Sequence, residues 1–513
     1  MMAGPPFNRN TAKFAGARIE NSFAPARAVP AAVEEQVLLA VPGNPVAHGI
    51  SLVLLLIFLF IVYSRILDYT LSGLHLPLIV STMTLCFALL SGGLFRIFRS
   101  LTGVYMLLYL GWMAICVPLA FWKGGSFQSL QEYSKSFLVF LLIVASLRRS
   151  RNVMHASYAI ALAMFAVVVL CFTVGFTDQF GRLALVSGLL GNSNDLAQVL
   201  LIGIPFWILF ASARTGMFVR MLLSSLIILV MLFLIVKTGS RAVMIGVVTV
   251  AGMLFLSVSI INKVKFVAGG MVGIALLLAI TPGALRDRYA TIFSSEERTA
   301  EGASASASTS QRMQLLKRSI ALTLRHPVFG VGPGNFQPAS AQAYGNQLGS
   351  AWYETHNTMT QISSEMGLPG LFLFFAALFC CFRTVWRLSR WKPPGGQRVS
   401  QAAADHIYFL NRMGSCLLLS LTSLTFTALF SSIAYHIFFP TLIGLCAALD
   451  MTANEEIGAL FPRTANALPT SAPPGSPGTR IENGLPYNHV GAGVESASTP
   501  AAPNPIRRLR PAR

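Results

Sequence analysis

Long apolar runs, each about the length that crosses a bilayer, alternate with short polar breaks over most of the chain. A spanning helix needs about 20 mainly apolar residues. Twelve segments read as candidates: 50–66, 74–95, 101–121, 136–147, 155–175, 195–212, 218–236, 241–261, 266–281, 368–386, 413–431 and 433–450. The fourth is short and the last two are hard to divide, so a count of eleven stays open. The pattern predicts an all-α polytopic membrane protein with about twelve transmembrane helices. One polar excursion interrupts it, residues 282–367, between the ninth and tenth segments. Chemistry on water-soluble groups has few other places to occur.

Composition agrees with the pattern. The 513 residues are 54% hydrophobic and only 11% charged, with a mean hydropathy of +0.63, which excludes an ordinary soluble enzyme. Lys and Arg set orientation. With the N-terminus inside, fifteen of them fall in cytoplasmic loops, among them Arg96, Arg99, Arg148, Arg149 and Arg151, against six in short external ones. Both termini are therefore expected inside, and the 282–367 loop outside. The net charge of +19 then reads as topology signal and anionic-lipid contact, with no nucleic-acid partner. All seven cysteines lie in or beside apolar segments, so neither a disulfide framework nor a thiolate metal site is expected in the outer loop. The chain start lacks the apolar core of a cleavable signal peptide. Residues 1–49 and 451–513 read as disordered cytoplasmic tails; the second ends in a basic run, Arg507, Arg508, Arg510 and Arg513. An inert tail and a membrane-surface or regulatory role are both open.

Charged or polar residues beside apolar runs are costly and ask for a reason. Arg241 follows Gly239 and Ser240, which break two apolar helices at an external junction. Exposed N–H groups at the new helix start and a guanidinium fork suit an anion; a snorkelling interfacial arginine is the other reading. GNSNDLAQ (Gly191 to Gln198) places Asn192, Asn194 and Asp195 at a helix start, where capping explains them and a polar lining for a sugar or headgroup is the alternative. In the outer loop, residues 294–310 are low in complexity and expected to be mobile. From Gln311, an amphipathic helix carrying Arg312, Lys317, Arg318 and Arg325 is expected to lie along the membrane and end at Pro327. GVGPGNF (Gly330 to Phe336) lacks the Lys and Ser/Thr of a P-loop and reads as a tight turn. Trp352, Tyr353 and Glu354 precede His356, which opens a short helix ending near Glu365 and Gly367. The aromatics suit interface anchoring or stacking on sugar rings, and a lone His suits either a structural or a catalytic role.

Taken in order, GNSNDLA, TGSRA, QRMQLL…HPVFGVGPGNF and HNTMTQISSEMGLPGL resemble the O-antigen ligase and O-antigen polymerase superfamily of bacterial membrane glycosyltransferases. The resemblance runs from about Gly191 to Leu371 and leaves out both tails. It implies a fold of the membrane glycosyltransferase C type in the bacterial inner membrane, with the loop facing the periplasm or the cell exterior. It further implies a metal-independent inverting enzyme that takes a glycan from an undecaprenyl diphosphate carrier and joins it to an acceptor sugar, on lipid A-core or on a growing polysaccharide. On this mapping the loop histidine is His356, the diphosphate-binding arginines are Arg241 and Arg312, and Glu365 is the acidic residue before the next helix; Asn194 and Trp352 complete the candidate substrate-binding set.

The chemistry is compatible with that mapping. Diphosphate is a stable leaving anion that arginines can stabilise, whereas the attacking hydroxyl gains from a base such as His356. No cofactor or metal is expected: the external loops hold no D-x-D pair, and Asp287 stands alone between Arg286 and Arg288. A polymerase, a protein O-oligosaccharyltransferase and a lipid-linked sugar transporter are the rival readings. The transporter is disfavoured by the lack of a repeat between the halves.

Overall fold

In hydrocarbon every backbone N–H and C=O must find its partner within the chain, which favours unbroken helices wherever the sequence stays apolar. The computed structural model describes residues 44–67, 72–179, 181–186, 188–212, 216–257, 260–280, 283, 286, 289, 300–345, 353–393 and 400–461. The expected tails 1–43 and 462–513 lie outside these residues, as do Trp352 and residues 294–299.

Every one of the twelve expected segments falls on a helix. They are α1 Pro45–Ser64, α2 Leu76–Leu90, α3 Leu101–Cys116, α4 Lys123–Ser146, α5 Ser150–Thr173, α6 Ser193–Ala211, α7 Met217–Lys237, α8 Arg241–Ser257 and α9 Ile260–Ile280. After the polar excursion, with its helices α10 Ala300–Arg325 and α11 Phe336–Tyr344, come α12 Thr358–Ser389, α13 Gln401–Ala428 and α14 Phe438–Leu460. Among the described residues, α1, α3 (with the turn that follows it), α5, α6, α7, α12 and α13 are long and apolar enough to cross a membrane.

Several boundaries differ from expectation for local reasons. Helix α4 begins well before 136 because its polar first turns have protein partners: Ser126 Oγ donates to Pro333 O at 2.9 Å. The indivisible 413–450 region resolves into α13, a stretch 429–437 and α14. That stretch carries Ser432 and Tyr435, both of which reappear at the site. Helix α14 runs to Leu460, beyond the expected boundary at 450, and α1 starts within the expected N-terminal tail. Asn44 caps α1 by accepting from the Val46 N–H at 2.9 Å, with Pro45 at the first helical position.

Helix α6 is mostly buried and sits against α5, α7 and α13. Pro205 inside α6 removes one helical donor, and polar groups of α13 bond to carbonyls in that turn. Ser420 Oγ donates to Ile202 O at 3.2 Å, and Cys416 Sγ contacts Pro205 O at 3.3 Å. Gln198 reaches Thr427 Oγ1 at 2.7 Å. These ties hold α6 to α13 from mid-helix to the α6 start. A short antiparallel hairpin, β1 Gly175–Thr177 and β2 Leu183–Leu185, fills the link between α5 and α6. No apolar period announces it.

The excursion also departs from expectation. Helix α10 starts at Ala300, so the Ala/Ser run continues the helix upstream of Gln311, as the high propensity of alanine allows. Its apolar face splits. Leu315 and Leu322 are buried with Val331 and Phe336, whereas Met313, Ile320 and Leu324 stay exposed. Part of the stripe expected on the membrane is thus core, held on α12 by the Thr323–Ser363 hydroxyl pair at 2.9 Å.

Candidate functional site

The site is built on a broken helix. At Gly367 the α12 backbone takes φ 69° and ψ −174°, which leaves carbonyls before the break and N–H groups after it without helical partners. The GVGPGNF turn, Pro327 just before it and Trp112 of α3 supply them. Val331 N–H donates to Ser364 O at 2.8 Å, Gly332 N–H donates to Glu365 O at 2.9 Å, and Leu368 N–H donates to Pro327 O at 2.8 Å. Trp112 Nε1 donates to Met366 O at 2.9 Å. The Glu365 side chain closes the arrangement. Its carboxylate accepts from the N–H groups of Gly334 and Phe336, at 2.9 and 3.2 Å, and from the Tyr435 hydroxyl at 2.5 Å.

No other residue fits at 367. A Cβ there would lie 2.0 Å from Val328 O, a backbone atom, at a φ that L side chains avoid. Gly367→Ala is expected to cost at least about 1–3 kcal/mol from the backbone strain alone. Thermal unfolding of the purified protein in detergent measures this, and an unchanged Tm would contradict it.

A second break, between α7 and α8, presents Arg241. Arg182, from the hairpin, donates through Nε to Thr238 O at 2.9 Å and through Nη2 to Asn194 Oδ1 at 3.1 Å. It thereby ties the hairpin to the break and to the start of α6, where Asn192 caps the helix by accepting from Asn194 N–H. Arg241, half-buried at the first position of α8, donates to Thr309 Oγ1 at 2.9 Å. Thr309 lies one turn of α10 before Arg312, so the two candidate arginines approach the same stretch of that helix.

His356 stands on the short segment before α12. Its backbone N–H donates to Ser432 Oγ at 2.8 Å, its φ is 51°, and its ring is half-buried. Asn357 caps α12 by accepting from Met359 and Thr360 N–H groups. Burial, and then the positive charge of Arg312, push the His356 imidazole down from 6.5 to about 4. Burial pushes the neighbouring Glu354 carboxyl up, and its hydrogen bond with Ser432 opposes this; an exposed edge of Glu354 limits the rise. Asp195 on α6 lies in the fields of both Glu354 and Arg312.

The structure therefore brings His356, Arg312, Arg241 and Asn194 toward one place, together with Arg182, Glu354, Asp195 and Ser432. Glu365 lies in the field of Glu354, with its oxygens taken up by the chain itself. Arg182 was legible only as a basic residue after Gly181 in a polar gap, and Ser432 carried no signal at all. Among the described residues no three of His, Cys, Asp and Glu converge as metal ligands.

Residues 226–375 match the family model described as O-antigen ligase, which supports placing the chain in that superfamily. The match covers Arg241, Arg312, His356 and Glu365 and excludes Arg182, Asn194 and Asp195. No curated protein matches the chain.

Proposed function

We propose, for a chain whose residues 226–375 carry the O-antigen ligase region, that it is a membrane glycosyltransferase moving a glycan from polyprenyl diphosphate to an acceptor hydroxyl outside the cytoplasmic membrane. The observation that carries this reading is the convergence on α10: Arg241 bonds Thr309, and His356 feels the charge of Arg312 one turn on. Two guanidinium forks beside a neutral imidazole suit an anionic leaving group and a nucleophile that must lose a proton. The twelve-span arrangement, with this site on the outer face, is part of the proposal.

In the proposed step the acceptor hydroxyl attacks the anomeric carbon while His356 takes its proton. The bond from that carbon to the diphosphate oxygen breaks, and its electron pair leaves with the diphosphate. Arg241 and Arg312 hold the charge that develops there. A single displacement of this kind inverts the anomeric centre. Asn194 and Arg182 set the polar edge of the site, Trp352 is the stacking candidate for a sugar ring, and Glu365 acts as a positioning residue through the turn.

A pH profile follows from His356. The neutral base is present at every pH above about 4, so kcat/KM is expected to hold down to about pH 5, where an ordinary imidazole is almost wholly protonated. Bound diphosphate offsets the charge of Arg312, the second cause of the depression, so the acid limb of kcat should lie at higher pH than that of kcat/KM. A kcat/KM limb at 6.5 would contradict this.

Ligase and polymerase share the donor half of such a site, and a deletion strain separates them. Full-length glycan left on its lipid carrier, with free lipid A-core, indicates a ligase. Single repeat units capping the core indicate a polymerase. An unchanged surface glycan profile would reject both.

A further inference from the structure

Helix α4 has its first turns beside the GVGPGNF turn and its last beside Arg148, and its 24 residues separate those ends by roughly 36 Å. At the far end a second group of basic side chains meets. Arg96, on the short turn Leu94–Arg99, is only 2% exposed. Its Nε, Nη1 and Nη2 find no hydrogen-bond acceptor among the described residues. Its ion-pair partner, Glu455 Oε1, stands 3.9 Å from Nη1, beyond hydrogen-bonding reach. Arg148 adds a second guanidinium. Its Nη2 donates to Ser91 O at 2.6 Å and Ser91 Oγ at 2.8 Å, while its Nε is buried with no acceptor among the described residues. Arg96 acts on Arg148 as a like charge. The His48 ring lies in the fields of Arg148, Arg96 and Arg149, and its Nδ1 is also buried with no hydrogen-bond partner among the described residues. The other nearby carboxylate, Glu456, is engaged by the Ser150 N–H at 2.9 Å and by His406 at 3.0 Å.

A guanidinium offers five donors in a planar fork and no acceptor, and a buried cation without hydrogen bonds is among the costliest groups a fold can carry. What the cluster lacks is a compact anion with several acceptor oxygens. A carboxylate matches one fork; a tetrahedral phosphate has oxygens enough to serve two. We infer that Arg96, Arg148 and His48 form a second anion site, for a phosphate group, at the opposite end of α4 from His356. Inorganic phosphate and the head group of an anionic phospholipid share this chemistry. The site is independent of the transfer reaction.

Thermal unfolding of the full-length protein tests it. Purified protein would be titrated with inorganic phosphate against chloride at matched ionic strength. In parallel it would be placed in nanodiscs of phosphatidylcholine with or without phosphatidylglycerol. The wild type should be stabilised by at least one probe. Arg96→Gln and Arg148→Gln should each need at least about tenfold more phosphate for the same shift, or lose the phosphatidylglycerol effect, whereas Arg312→Gln should keep the response. A response to both probes identifies the phosphate group itself as the ligand; a response to phosphatidylglycerol alone identifies a lipid head group. The inference is overturned if neither probe shifts the wild type, or if the Arg96 and Arg148 variants respond as it does. Should Arg96→Gln fail to fold, the half-exposed Arg148 gives the same readout. Arg96→Met adds a sign test in phosphatidylglycerol nanodiscs: an occupied site predicts a lower Tm, and a site that takes no anion predicts a higher one.

Discussion

Replacing His356 by Ala is expected to lower glycan transfer about 10²–10⁴-fold, the usual worth of a general base, while the protein accumulates at wild-type levels. The fold should survive because the hydrogen bond to Ser432 comes from the backbone N–H of residue 356, which alanine retains. The φ of 51° is left-handed for either side chain and somewhat easier for His than for Ala, so the exchange adds only a little strain. Surface glycan, read by gel against protein level by immunoblot, measures the two effects separately. Loss of glycan together with loss of protein would mean that His356 is structural.

Replacing Glu365 by Ala should have the largest effect on stability. It orphans the Gly334 and Phe336 N–H groups and the Tyr435 hydroxyl, at about 1–3 kcal/mol for each buried group left unsatisfied. The turn would then come loose from α12, and His356 would move with the segment it stands on. Glu365→Gln keeps one acceptor but turns an N–H₂ toward the donors, so it should lie between Ala and the wild type. Melting temperature in detergent and KM for the lipid-linked donor separate two roles. A large fall in Tm supports positioning. An unchanged Tm with a raised KM would return Glu365 to direct substrate binding.

The long apolar segments were legible because hydrocarbon leaves the backbone no other choice than helix, so α1 to α9 and α12 to α14 each overlap an expected range, with ends that differ where polar turns find protein partners. What the sequence hid depends on contacts across long separations. Glu365 looked like a charge at a helix end, but its partners come from the turn about thirty residues before it and from Tyr435, seventy residues after. The direction of the α10 face was equally unreadable. Leu315 and Ile320 are both apolar positions on one helix, yet one is buried against Val331 and Phe336 while the other is exposed. Arg241 and Arg312 could be singled out because an arginine beside an apolar run needs a reason. Arg182 could not, because its use depends on Thr238 and Asn194 folding back onto the hairpin. The break at Gly367 was half-visible as a helix end; that the helix resumes at once, with its orphaned groups satisfied by GVGPGNF, was not.

The central claim, that His356 carries out the transfer with Arg241 of α8 and Arg312 of α10, is tested most directly by reconstitution. Purified full-length protein would be given a polyprenyl-diphosphate-linked glycan and an acceptor, with glycosylated acceptor and freed polyprenyl diphosphate measured together. The account predicts equal amounts of both products from the wild type. It predicts both products formed about 10²–10⁴-fold more slowly by His356→Ala, and a raised donor KM for Arg241→Ala and Arg312→Ala. Wild-type rates from His356→Ala in the same vesicles would contradict it.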